Sequence, residues 1–322
     1  MINNIYSKLP WSEFKRLLSI QDFKLNYVDI DNVYWLFGVS GTLRFGSSIV
    51  KTTPKGSDQV DFEDNYKNIV SSTKSTSVDS KLEVLKGNVA KHKIITVCGE
   101  RDNINTTVTG EDLWDGEATT IPIPSADGEQ MSMVSTNTSD TLNGSGTRSV
   151  CIHYLNGLGA ECIEYVNMNG TTPVHTVATD IKFVGAIHSL TVGSNFSPKG
   201  VISIYKKDSS TKIYNHINPG ENSSLTCQYM VPAGHKLYLQ GWRAMNSKDK
   251  RVSVRIRSMD HLGTPLPNIF LIKDTVRLFL DSTGELPLYD VIPALSIIKI
   301  SVWADQDAAE CSGSFWGYLI QD

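Results

Sequence analysis

Four carboxylates crowd around one tryptophan in the segment Gly110-Glu111-Asp112-Leu113-Trp114-Asp115-Gly116-Glu117. Paired carboxylates beside an aromatic ring are the raw material of a glycosidase or of a calcium loop. The spacing does not fit the calcium loop of an EF-hand, and no partner carboxylate for acid–base work can be placed from sequence. The cluster is therefore expected to be structural, with Asp112 and Asp115 each replaceable without loss of function.

The other reactive residues give less. The histidines, His92, His153, His175, His188, His216, His235 and His261, never stand at metal-ligand spacing. His153 and His216 fall in alternating strands on the polar side, so each is expected at a surface or rim rather than as a catalytic base. Five cysteines, Cys98, Cys151, Cys162, Cys227 and Cys311, are scattered and form no CxxC pair. No zinc site or cofactor is expected from that pattern. Free thiols are expected instead, packed as small hydrophobes. Cys151 and Cys162 are the pair that could meet, because they bracket the Asn156–Gly159 turn. The GxSxG, GxxxxGK[ST] and GxGxxG patterns are absent from the sequence, which removes the footing for hydrolase, NTPase and dinucleotide readings. Arg251, Arg255 and Arg257 recur at alternate positions and are expected on one sheet face. They have no interleaved aromatics in sequence, so nucleic-acid binding is not expected, and a solvated face or a contact with an acidic neighbour is.

What must position these residues is a series of short alternating strands. Arg148–Tyr154 and Glu161–Met168 alternate apolar and polar, and the Asn143-Gly144, Asn156-Gly157 and Asn169-Gly170 pairs punctuate the chain. Asn and Gly tolerate the positive φ of tight hairpin turns, so period-two alternation between them predicts antiparallel strands. The pattern continues through Asp180–Val192, the pair Gly200–Tyr205 and Lys212–Ile217, Ser223–Val231, His235–Trp242, Lys250–Ser258, Phe270–Leu280, Ala294–Trp303 and Ser314–Ile320. In Lys250–Ser258 the residues Val252, Val254 and Ile256 should face inward. The fold class expected is mainly β, an antiparallel, jelly-roll-like β-sandwich spanning 98–322.

Residues 1–97 read differently. Pro10 opens a short helical pattern with Trp11, Phe14 and Leu18 on one face. Val33–Phe37 and Thr42–Phe45 suggest a hairpin, and Ser71–Ser80 is a Ser/Thr-rich loop. Fully burying one large apolar side chain gains about 1.5–3 kcal/mol. Trp11, Phe14, Trp35, Phe37, Phe62 and Tyr66 are many such groups for so polar a segment, so this region is expected to be a docking element covered by a neighbouring subunit. With Arg251, Arg255 and Arg257 they make up the candidate interface.

Four motifs in order carry a resemblance: Gly110–Gly116, Asn143–Val150, Asn169–Val174 and Val231-Pro232-Ala233-Gly234, with an early Asp61–Lys67 patch. Together they resemble a family of structural proteins encoded by tailed bacteriophages, over about Gly110 to Trp242 and more loosely to Trp303. The resemblance implies a virion component with a β-sandwich body and no catalytic residues. It would be assembled in bacterial cytoplasm, where thiols stay reduced. Its expected place is the neck or tail, as a collar, ring or appendage protein in contact with copies of itself and with portal, neck, tail or capsid proteins. The alternatives are a capsid decoration protein, or a receptor-binding module that recognises host surface glycans through exposed tryptophans. A glycan-degrading enzyme ranks third.

Composition agrees with a folded, non-basic protein. The 322 residues are 40% hydrophobic and 20% charged, with a net charge of −4 and a pI near 6.0. That balance offers no general attraction to nucleic acid or to an anionic membrane. The opening MINNIYSKLPW lacks the pattern of a secretory signal, and no run of eighteen apolar residues predicts a spanning helix.

Overall fold

The computed structural model describes residues 6–9, 26–30, 33–37, 80–259, 269–279 and 283–322. They belong to two compact units, Met1–Asp79 and Ser80–Asp322.

In the first unit, β1 (Tyr6–Leu9), β2 (Asn26–Ile30) and β3 (Val33–Phe37) form an antiparallel sheet with β3 in the middle. Val33–Phe37 is thus a strand as its β-branched and aromatic content predicts. Its described partners both lie upstream, with Ile30 opposite Val33. Trp35 and Phe37 take their places on β3, whereas Trp11, Phe14, Thr42–Phe45, Phe62 and Tyr66 lie outside the described residues.

The second unit opens with α1 (Ser80–Leu85), β4 (His92–Ile104) and β5 (Glu111–Asp112). Its strands are antiparallel and form sandwiches, as the alternation predicts, but there are two of them. The inserted sandwich uses β6 (Met131–Ser135), β7 (Thr147–Leu155), β8 (Glu161–Asn167), β9 (Val174–His175), β10 (Phe183–Val192), β11 (Ile202–Lys206) and β12 (Ile213–Ile217). One sheet runs β10-β7-β8 and the other β12-β11-β6-β9. Between them lies a core of Met131, Met133, Val150, Ile152, Val166, Ile187, Ile202 and Ile204.

The outer sandwich is completed by β13 (Gln228–Met230), β14 (His235–Asn246), β15 (Val252–Met259), β16 (Leu271–Leu278), β17 (Thr283–Ile292), β18 (Ile297–Ala304) and β19 (Ala309–Gln321). One sheet is β13-β18-β15-β16 with β5 added alongside β18, and the other is β17-β14-β19-β4. Val252, Val254 and Ile256 point into the core as expected, against Leu237, Leu239, Trp242 and Phe315. Val231-Pro232-Ala233-Gly234 carries the chain from one sheet to the other, between β13 and β14.

The inserted sandwich leaves and rejoins the outer one through two adjacent strands of chain. Trp114 bridges to Thr226, the Asp115 amide donates to the Leu225 carbonyl, and the Cys227 amide donates to the Leu113 carbonyl. A small apolar cluster of Leu155, Phe183, Met230 and Ile297 seals the two bodies together.

Two buried carboxylates organise the inserted sandwich. Asp140 accepts from Ser135 Oγ and from the amides of Thr147, Lys199 and Gly200, at 2.6–3.0 Å. Four donors on one carboxylate fix the loop that contains Asn143-Gly144. Glu129 accepts from the Tyr214 hydroxyl at 2.7 Å and from Lys206 Nζ at 3.2 Å. Burial alone would raise its pKa, but those donors outweigh burial and hold it below the usual carboxylate range. A depressed carboxylate stabilises the fold above its unfolded pKa, and that contribution is lost as pH falls through the folded value.

The expected boundary at residue 97 falls inside β4. Residues His92–Val97 pair with Ile320–Phe315, and Ile95 is buried in the outer core. The division lies instead at Asp79/Ser80. A chain beginning at Ser80 should unfold cooperatively in urea, whereas one beginning at Cys98 should aggregate or lose its single transition. Tyr214→Phe should lower stability by about 1.5–3 kcal/mol at neutral pH, the range for hydrogen bonds to charged groups. In urea titrations repeated at decreasing pH, the variant and the parent should converge as Glu129 becomes protonated.

Candidate functional site

The acidic cluster sits where the two sandwiches join, and three of its four carboxylates, Glu111, Asp112 and Asp115, are engaged, while Glu117 is exposed. β5 adds to β18 with Asp112 opposite Ser301 and Glu111 opposite Val302. Asp112 is fully buried and accepts from Lys299 Nζ at 2.7 Å, Ser301 Oγ at 2.6 Å and the Ile121 amide at 2.9 Å, with Arg257 Nη2 at 3.4 Å. Burial pulls the Lys299 ammonium and the Arg257 guanidinium below their ordinary pKa values, while Asp112 pulls both back up. Glu111, also fully buried, pairs with Arg101, which in turn donates to the Gly116 and Ala118 carbonyls at 2.6 and 3.0 Å.

The tryptophan of the motif is equally committed. Trp114 is buried, donates Nε1–H to the Ala118 carbonyl at 2.7 Å and packs on the His216 ring at 5.3 Å between centroids. His216 lies 3.2 Å from the Asp115 carboxylate and is buried, not at a rim as its place in an alternating strand suggested. The glycines at the ends of the motif follow from the tryptophans. A Cβ at Gly110, where φ is +72°, would strike the Trp303 ring, and one at Gly116 would strike Trp114. The expectation of a structural cluster fits this geometry. The expectation that Asp112 is freely replaceable does not, because its loss would strand two buried cations.

Arg251, just before β15, and Arg255 and Arg257 on it alternate on one face, and the aromatics that sequence spacing lacked come from β18 and from the two ends of β16. Arg251 lies over Phe279 at 5.2 Å, Arg255 over Trp303 at 4.1 Å, and Arg257 over Trp303 and Phe270 at 4.9 and 5.5 Å. These are cation–π distances. Arg257 is drawn into the buried charge network, Arg255 is half-buried, and only Arg251 is exposed as a solvated face requires.

All five cysteines are free. β7 and β8 form the hairpin expected around Asn156–Gly159, but its register sets Cys151 opposite Tyr165 and Cys162 opposite Tyr154. The two thiols therefore do not face each other. Cys151 instead sits beside His153, Sγ to Nε2 3.5 Å, and His153 stacks on His188 with ring centroids 5.2 Å apart. Both imidazoles line a cleft of about 840 Å³ between β4 and the β10-β7-β8 sheet, whose walls include Ile94, Thr96, Tyr154, Glu161 and Tyr229. Sequence spacing hid this cluster because the third member arrives from the neighbouring strand, where His188 pairs with Cys151. The Cys-x-His spacing within one alternating strand is the signal that could have pointed to it.

A last feature lies on the face of the β17-β14-β19-β4 sheet opposite the core. Val291, Tyr238, Tyr318 and Ile94 stand in register across all four strands. Trp316 occupies the next cross-strand row, over Gly241. Tyr289 and Val291, on the outermost strand, are 78% and 46% exposed.

No protein-family model matches the chain, and no curated protein does. Among solved structures, a chain of infectious bursal disease virus Gt strain aligns at 12% identity over 76% of this chain and 78% of that one, with a TM-score of 0.21. A chain of T=1 particles derived from the same virus aligns at 12% identity over 72% and 70%, with a TM-score of 0.20. Scores this low do not define a common fold.

Asp112→Asn should cost about 3–5 kcal/mol, the range for removing one partner of a buried ion pair. Chemical denaturation of the variant measures it. Asp115→Asn should cost less, because Asp115 faces one histidine and one asparagine rather than two obligate cations.

Proposed function

We propose that the chain is a structural subunit of a virus particle, working through contacts with copies of itself and with other virion proteins rather than by catalysis. The observation that carries this reading is the aromatic and aliphatic row Val291–Tyr238–Tyr318–Ile94 on the outer face of a four-stranded sheet. A core-forming sheet ordinarily presents polar residues on its second face. Here Tyr289 and Val291 are exposed and Tyr238, Tyr318 and Ile94 are half-buried, and an apolar, tyrosine-rich surface is the composition of a protein–protein interface. Lys236 and Asp322 supply charge at one end of the row.

A carboxylate-based enzyme would need carboxylates free to exchange protons or bind substrate. Here Glu111 and Asp112 are held by Arg101, Lys299 and Arg257. The motif resemblance extends the reading to the neck or tail of a tailed phage, with the first unit as its docking element.

Val291→Glu combined with Tyr318→Glu places two like charges in the row without touching the core. Sedimentation velocity should show the parent chain self-associating with rising concentration and the double variant remaining monomeric, with unchanged far-ultraviolet circular dichroism. A parent that stays monomeric throughout, or a variant that associates equally well, would overturn the proposal.

A further inference from the structure

β7 alternates strictly, with Val150 and Ile152 in the inserted core. Cys151 and His153 therefore share its other face, and antiparallel pairing with β10 sets His188 directly opposite Cys151. The ligand atoms of these three residues all lie within 4.8 Å of one another. We propose that Cys151, His153 and His188 bind a single divalent cation of the zinc–cobalt class, with the fourth coordination position open to the cleft.

Several observations carry this assignment. A Zn–S bond of about 2.3 Å and a Zn–N bond of about 2.0–2.1 Å at a tetrahedral angle place sulfur and nitrogen roughly 3.6 Å apart. Cys151 Sγ and His153 Nε2 are 3.5 Å apart. One thiolate with two imidazoles suits borderline-soft ions and not calcium or magnesium, which take oxygen. Access is provided as well: both imidazoles line the cleft, and the thiol lies buried beside them. The bound ion would clip β7 to β10 on the floor of the cleft between the sandwiches.

The simpler account is a thiol–imidazole hydrogen bond with no metal, and cobalt separates the two. Co²⁺ added to the reduced, chelator-treated full chain should give a thiolate-to-cobalt charge-transfer band and the strong visible bands of a tetrahedral site, saturating at one equivalent. Zn²⁺ should displace it and raise the melting temperature. Cys151→Ser should abolish the charge-transfer band. His153→Gln and His188→Gln should each weaken binding by on the order of 100-fold, since even outer-shell losses cost 10–100-fold. Cys98→Ser and Cys162→Ser, which alter the other cysteines nearest the cleft, should leave the spectrum intact. No bands at a large excess of Co²⁺, or bands that survive Cys151→Ser, would overturn the site. Should Cys151→Ser fail to fold, bands unchanged in the folded His153→Gln and His188→Gln variants would overturn it equally.

Discussion

The place where the two sandwiches join depends on one buried carboxylate with two cations around it. Asp112 reaches Lys299 and Ser301 on β18 and Arg257 on β15, and it also holds the backbone of Ile121, where the chain departs toward the inserted sandwich. Ions taken from water lose several kcal/mol of solvation each, and the protein recovers this only when geometry and remaining hydrogen bonds are nearly complete. Such a centre does little for net stability compared with an apolar plug. What it specifies is a single arrangement, because any shift of β5 along β18 would leave charges unpaired in the interior.

The aromatic rings extend that constraint outward. Arg257 satisfies Asp112 with one end and faces Trp303 and Phe270 with its planar surface. Trp303 in turn requires glycine at position 110, and its indole nitrogen donates to the Val108 carbonyl. A residue that looked like one of three solvated arginines is thus a structural element linking the charge centre to the loop before β5.

Much of the strand content was legible because burial on one face imposes period-two alternation: Lys250–Ser258 and Gly200–Ile217 folded as their patterns required. Thr283–Ile292 was not legible, since Pro287 and Gly284 interrupt it, features an edge strand tolerates. The nesting of two sandwiches was hidden for a different reason. Alternation reports which face is buried, not which sheet does the burying, so β12 and β13 look like consecutive members of one series although they belong to different sandwiches. His216 was misjudged similarly, as its strand is buried on both sides, against Trp114 and within the inserted sheet. The cleft cluster of Cys151, His153 and His188 needs the register of β7 on β10, which no single-strand pattern encodes.

The insertion also has a consequence for the order in which the chain must fold. β4 is the first long strand of the second unit and, among the described strands, pairs only with β19, the last, so His92 meets Ile320 across nearly the whole unit. Closing so long a loop is entropically unfavourable, and the penalty grows with the logarithm of the length of flexible chain. The inserted sandwich is contiguous in sequence and can collapse while the outer strands are still unpaired. Once formed, it brings the chain before Leu113 to the chain after Cys227, replacing a long flexible loop with a short rigid one. A nascent chain would therefore complete its middle before its foundation, with β4 held as an unpaired edge until β19 emerges.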